Sequence, residues 1–153
     1  MKSYSQISPT LNRRLPIFAQ ELSKEGVRAG GFRWMISGGI MHEVSIMESA
    51  VRMAVDAAKS AGASRVLALR LRVGTLSGAA PEALRFAFDV VCRDTIAEGA
   101  SLVMENVSAM GWCPVCSEEF QCADFISECP RCHNPNGELR RGRELEIASV
   151  EVE

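Results

Sequence analysis

No run of roughly 18 or more apolar residues, the length that spans a bilayer, occurs in this 153-residue chain. Its N-terminus also lacks the unbroken apolar segment that follows the positive end of a secretory signal. Those two absences predict a soluble, cytoplasmic protein with no membrane partner. Histidine is scarce, with only His42 and His133, and there is no G-x-x-x-x-G-K-[ST] phosphate loop. With so few imidazoles no nucleophile and base pair is visible, so the chain is not expected to be an enzyme. Any nucleotide hydrolysis must then come from a partner. An excess of positive charge is missing too: the net charge is −2, whereas nucleic-acid binding draws much of its affinity from neutralising phosphates. No nucleic-acid partner is expected.

What is present suffices for one ordinary domain, since 47% of the residues are apolar. Charge is unevenly spread. Residues 1–40 hold Lys2, Arg13, Arg14, Lys24, Arg28 and Arg33 against Glu21 and Glu25, a net +4 that leaves −6 for residues 41–153. This basic leader contains Pro9, Pro16 and the glycine pairs of RAGGF and SGGI, and it shows no sustained helical or strand period. It reads as a disordered extension.

Past Met41 the pattern sharpens. Ser45 and Glu48 have the S-x-x-E spacing of a capping box, and Ile46, Ala50, Met53, Ala54 and Ala57 recur on one face. They predict a helix over about 45–61 that Gly62 closes. VLALRLRVG alternates, with Leu67, Leu69, Leu71 and Val73 on one side and Ala68, Arg70 and Arg72 on the other, the mark of a half-buried strand. Pro81 and Glu82 open a second helix carrying Leu84, Phe88 and Val91, before a strand over 101–107. In the closing LEIASVEVE the apolar phase slips between Leu145, Ile147 and Val150, Val152, which predicts a bulge near Ala148 and Ser149. The order predicts an α/β (α+β) fold: a small sheet with two helices on one face, built from 41–108 and 141–153 and interrupted by residues 109–140.

The interruption holds five of the six cysteines, four of them in closely spaced pairs. Cys113 and Cys116 form one C-x-x-C, Cys129 and Cys132 another. Two residues between ligands let the chain turn so that both thiolates reach one ion, and two such knuckles complete a tetrahedral S₄ site with no open coordination position. Structural zinc in a zinc-ribbon domain is the first reading, and it would hold together a segment too small to have a core. Iron in the same geometry, as in a rubredoxin-like carrier, is the rival metal reading, which the spacing alone does not exclude. CPRCH also matches a c-type haem attachment, although the other knuckle would then lose its partners. His133 falls beside the cluster with its role open, and Cys92 and Cys122 read as small buried side chains. Between Trp112 and Glu138 five acidic residues face one arginine, the wrong sign for a ribbon that grips nucleic acid.

Taken together, MHEVSIMESAV, LRLRVGTLSGAAPEALRFAFDVV, the double C-x-x-C and GRELEIASVEVE resemble the HypA/HybF family, the nickel metallochaperones of hydrogenase maturation. The resemblance runs from Met41 to Glu153. It implies a nickel site at Met41, His42 and Glu43: the amine of the first, the backbone and ring of the second, the backbone or carboxylate of the third. Such donors close five- and six-membered chelate rings, and nitrogen-rich planar coordination suits Ni(II). The resemblance also implies a HypB-type GTPase as partner, delivery to the [NiFe]-hydrogenase large subunit and, in some organisms, service to urease maturation. In the chain as it stands the Met41 nitrogen belongs to a peptide bond with Ile40. Residues 1–40 have no counterpart in the family, so the expected start is Met41, with the leader arising from a start placed too far upstream. A basic extension that is trimmed or docks to a partner is the competing reading. The alternative function is a zinc-ribbon interaction or regulatory module with no nickel role.

Overall fold

The computed structural model of the protein describes residues 13–16, 39–123 and 128–153. Along the chain these form β1 (Arg13–Pro16), α1 (Gly39–Ser60), β2 (Val66–Gly74), α2 (Pro81–Val91), β3 (Ser101–Val107), β4 (Met110–Cys113), β5 (Glu118–Gln121), β6 (Glu138–Arg141) and β7 (Leu145–Val152). A four-stranded sheet has the order β1-β7-β2-β3, and a three-stranded sheet the order β5-β4-β6. β2 and β3 run parallel, a pairing that needs a crossover such as the one α2 supplies, whereas β7 is antiparallel to both of its neighbours.

α1 buries Ile46, Met47, Ala50, Val51, Ala54 and Ala58, a stripe at helical spacing. Met53 and Ala57, expected at its centre, are only half-buried and sit at its rim. The helix begins at Gly39 rather than at about 45, so Ser45 lies inside it and the capping-box reading of the start is corrected. Nothing from Gly39 to Val44 interrupts a helical backbone, and Glu43 and Val44 already face the interior, so the helix runs on upstream. Its other end is as expected. Gly62 takes φ +69°, its N–H bonds to the Lys59 carbonyl at 3.0 Å, and the Ala63 N–H bonds to the Ala58 carbonyl at 2.9 Å. That paired arrangement satisfies carbonyls the helix leaves free.

α1 and α2 pack on each other and on one face of the four-stranded sheet. Leu84, Ala87 and Phe88 of α2 meet Leu69, Leu71 and Val73 of β2 and Ile147, Val150 and Val152 of β7 in one core. The predicted bulge is present. Arg70 stands opposite Ser149 and Leu71 opposite Ile147, so Ala148 is the extra residue that returns Val150 and Val152 to the core side. A second irregularity corrects the reading of β2: Val66 pairs with Val152 and Ala68 with Glu151, which makes Leu67 the extra residue. Val66 is buried in its place.

The opposite face is charged, with ion pairs Arg14–Glu151, Arg70–Glu105 and Arg72–Glu146. Exposed pairs of this kind contribute under about 1 kcal/mol each and act mainly on register. Within the leader, whose sequence shows no sustained period, Arg13–Pro16 nonetheless forms β1 on the edge of β7. Four residues are too few to show a period, so the pairing comes from the edge they meet. Among the described residues no helix is long and apolar enough to cross a membrane.

Chain segments cross where the two sheets meet. The Gly74 N–H bonds to the Glu144 carbonyl at 2.7 Å, Leu76 N–H to the Gly142 carbonyl at 2.7 Å, Thr75 N–H to the Val107 carbonyl at 2.9 Å, and Ala109 N–H to Thr75 Oγ1 at 3.0 Å. A Cβ on Gly74 would lie 2.2 Å from the Gly142 carbonyl oxygen. One on Gly142, where φ is +112°, would lie 2.4 Å from the Ala109 Cα. Backbone stands on both sides, so neither position has a flexible neighbour to yield. Gly142→Ala is therefore expected to destabilise the fold by about 3 kcal/mol or more, a fall in Tm on the order of 10 °C. Gly62→Ala, also at positive φ but with nothing within 4 Å, should cost only about 1 kcal/mol. Equal Tm values for the two variants in thermal denaturation would show that the crossing has slack.

Candidate metal centre

Cys113 ends β4, and the chain turns at once so that the Cys116 N–H points at the Cys113 sulfur, 3.4 Å away. The Ser117 N–H then bonds to the Cys113 carbonyl at 2.8 Å with Ser117 at φ +54°. The second knuckle repeats this. The His133 N–H bonds to the Cys129 carbonyl at 2.9 Å, and His133 stands at φ +56°. In each knuckle the fourth residue after the first cysteine adopts the left-handed conformation that closes the turn. His133 is thus a turn residue with its ring turned outward, Nδ1 lying 2.9 Å from Glu128 Oε1.

The four sulfurs come within 4.8 Å of one another. Cys113 and Cys132 are 3.5 Å apart, Cys116 and Cys129 3.9 Å. A tetrahedral ion with metal–sulfur bonds of about 2.3 Å sets ligand sulfurs about 3.8 Å apart, so the cluster fits such an ion. Its inner wall, Cys113 and Cys129, is buried, while Cys132 is exposed. The backbone N–H groups of Cys132 and then Arg131 draw the Cys129 thiol down to about 7, while hydrogen bonding with neighbouring sulfurs, Cys132 foremost, pushes Cys116 up to about 12. Four sulfurs this close cannot all carry charge unless a cation sits among them. All four are taken up in the cluster, so none can serve an open catalytic position on a bound ion.

Around the cluster the three-stranded sheet is thin. Arg140 lies over the Trp112 ring at 5.6 Å, and Arg131 pairs with Glu118 at 2.7 Å. Cys122, expected as a small buried side chain, is buried against the Gly111 backbone, and Cys92 is buried at the end of α2. Burial pushes the Cys92 thiol up to about 11, with Asp89 adding to it.

The second predicted site lies on α1. Met41 and His42 are in its first turn and are described by their backbone alone. Glu43 is 5% exposed; its Oε1 accepts from the Ala80 N–H, at the start of α2, at 3.4 Å. Its Oε2 is buried with no hydrogen-bond partner among the described residues. Ser77, buried nearby in sequence to Ala80, is occupied by the Ala79 N–H at 3.3 Å. Nothing in the residue order signals that Glu43 turns inward, because its apolar neighbours Val44 and Ile46 look like ordinary helix residues. Nor did spacing reveal the paired left-handed turns at Ser117 and His133, although polar residues at equal offsets after each C-x-x-C were a signal of them.

The family model described as hydrogenase/urease nickel incorporation, metallochaperone, hypA matches residues 41–152. A hydrogenase maturation factor HypA of Methylocella silvestris is 45% identical over 113 residues, covering 74% of this chain and all of that protein. Its counterpart in Geobacter metallireducens is 42% identical with the same coverage. A solution structure of a HypA protein superposes with a TM-score of 0.58 at 23% identity, over 74% of this chain and 97% of that one. The solution structure of the Ni metallochaperone HypA from Helicobacter pylori gives 0.52 at 20% identity, over 72% and 96%. At those identities the structures speak for the shared fold. Membership rests on the family match and the end-to-end relatives: the chain belongs to the HypA family of hydrogenase maturation factors.

Proposed function

We propose that the protein is a nickel metallochaperone that takes up Ni(II) at Met41, His42 and Glu43 and passes it on for maturation of [NiFe]-hydrogenase. It acts as a carrier in the cytoplasm rather than as an enzyme. A HypB-type GTPase assists the transfer to the hydrogenase large subunit, and urease maturation is a further destination. The observation that carries this reading is the family match, which opens at Met41, on the three residues in question. Glu43 supports it, because a buried carboxylate oxygen without a donor costs about 1–3 kcal/mol and a cation beside it would remove that cost.

The helix constrains how nickel is taken. α1 runs through Met41, His42 and Glu43, and a helical turn directs its amides along the axis, not into one plane around an ion. A planar set that draws on these backbone nitrogens needs the first turn to open. A chain starting at Met41 supplies a free amine there and has no upstream residues to extend the helix. It should therefore bind nickel more tightly than the chain that begins at Met1. In this reading, residues 41–108 with 141–153 form the nickel-binding unit, and 109–140 the zinc ribbon.

Zinc is the proposed resident of the Cys113, Cys116, Cys129 and Cys132 cluster, whose sulfur spacing and thiolate-rich donor set suit it. It supplies a fixed crosslink and no chemistry on the cargo. The chain's own groups do the rest: the four thiolates fix the two turns, and the backbone N–H of Cys116 helps hold the Cys113 sulfur in place.

Nickel titration by calorimetry with visible absorption tests the first claim. His42→Ala should weaken binding by more than the roughly 10- to 100-fold that loss of a supporting residue costs, and Glu43→Gln by about that amount. Nickel affinity unchanged in His42→Ala would favour the ribbon module without a nickel role. Elemental analysis tests the second, with one zinc per chain and a colourless preparation expected; stoichiometric iron and a red colour would replace zinc with iron. Stripping the metal with a strong chelator should raise hydrogen exchange throughout β4, β5 and β6 while β2 and β7 keep their protection. Retained protection in β4 would mean that the module folds without its ion.

A further inference from the structure

Residues Arg13–Pro16 lie upstream of everything the family model matches, yet they are held in three ways. Their backbone pairs antiparallel with Ser149–Val152, Arg13 opposite Val152 and Pro16 opposite Ser149. Leu15 packs against the core. On the other face Arg14 lies 3.4 Å from Glu151, which also approaches Arg70 at 3.8 Å, and Arg70 pairs in turn with Glu105 at 3.2 Å. β1 therefore completes a row of alternating charge across all four strands. Arg13, on the same side as Leu15, donates from Nη2 to the Ala61 carbonyl at 2.9 Å. That carbonyl follows the end of α1, where the helix leaves acceptors free and its dipole favours a cation.

All these contacts require one register. A slip of one residue would turn Leu15 onto the charged face and bring Arg14 under the helices. Pro16 has no N–H to give and suits the end of such a strand. A strand this short has no stability of its own, so the recognition resides in the edge of β7: its free N–H and C=O groups, the Glu151 carboxylate and the Ala61 carbonyl.

We propose that the outer edge of β7, Ser149–Val152, is a strand-docking site and that this chain's own Arg13–Pro16 is its occupant, a displaceable strap selected by two cations followed by an apolar residue. While the strap is seated, the sheet is closed to strand addition from any other chain on that side. Among the described residues none within the matched region 41–152 pairs with this edge, and β1 covers it. The leader thereby acquires a structural role that does not depend on the nickel reading.

The test uses the full chain and its Leu15→Asp variant. In the wild type, the alternate amides of β7 that face β1 should be protected from hydrogen exchange, and a labelled peptide LNRRLPIF, residues 11–18, should not bind. In Leu15→Asp those amides should exchange at least tenfold faster, the amides facing β2 should keep their rates, and the peptide should bind one to one. Adding Glu151→Lys should cut that capture at least tenfold. If Leu15→Asp loosens both rows of β7, Arg14→Glu, which leaves the core contact in place, is to be read instead. Unchanged exchange in these variants would overturn the proposal, as would a freed edge that refuses the peptide. Dimerisation of the freed edge without peptide capture would overturn it too, since the edge would then select a second copy and not the strap.

Discussion

The cysteine-bearing part of the molecule is tied to the helical part through a crossing of backbone segments that leaves no space for a side chain. Gly74 closes β2 as Gly142 prepares the entry into β7, and the two come close enough that even a methyl group would overlap a carbonyl oxygen. Four hydrogen bonds among Gly74, Thr75, Leu76, Val107, Ala109, Gly142 and Glu144 fix the crossing. Three passes of chain thus meet at one place: the end of β2, the exit from β3 and the return to β7. This is what lets a three-stranded module be inserted between β3 and β7, the two strands that flank β2, without disturbing the sheet. The stiffness of the crossing, not burial of apolar surface, sets where the cysteine cluster stands.

Inside the inserted module the balance is different. Its strands are four residues long, and its buried residues are mainly cysteines and small side chains. A sheet of that size cannot offset the entropy of ordering its own loops by apolar burial. The two knuckles solve the problem locally by spending a positive φ each, at Ser117 and His133, to bring paired sulfurs together. Charge would then complete the task, because sulfurs that repel one another as thiolates are drawn together by a common cation such as the proposed zinc. The structural economy of the two halves is opposite, with one held by aliphatic packing and the other by four sulfurs.

Much of this could be read from residue order. The double C-x-x-C announced the cluster because ligand spacing is a local property. The slip of phase in LEIASVEVE announced the bulge at Ala148, since an alternating pattern records which residues face a core. What escaped was set by partners distant in sequence. Leu67 gave way to Val66 because the pairing with β7 has a second irregularity, invisible in β2 alone. α1 outran its apparent capping box because Glu43 and Val44 find interior contacts. The strand at Arg13–Pro16 was hidden for the same reason: its pattern exists only against the edge it fits.

Glu43 brings the two halves of the functional question together. One of its oxygens meets the Ala80 amide at the start of α2, where a helix terminus favours negative charge, and the other has no donor among the described residues. The carboxylate therefore ties the first turns of both helices, and it keeps unused capacity beside the residues proposed to receive nickel. Opening the first turn of α1 would release the amides of His42 and Glu43 as ligands while the link to Ala80 holds the rest of the helix in place. Uptake would then cost one turn of helix instead of a rearranged core. Release to an acceptor would be favoured as that turn re-forms, so the same local element that admits the ion would also help to expel it.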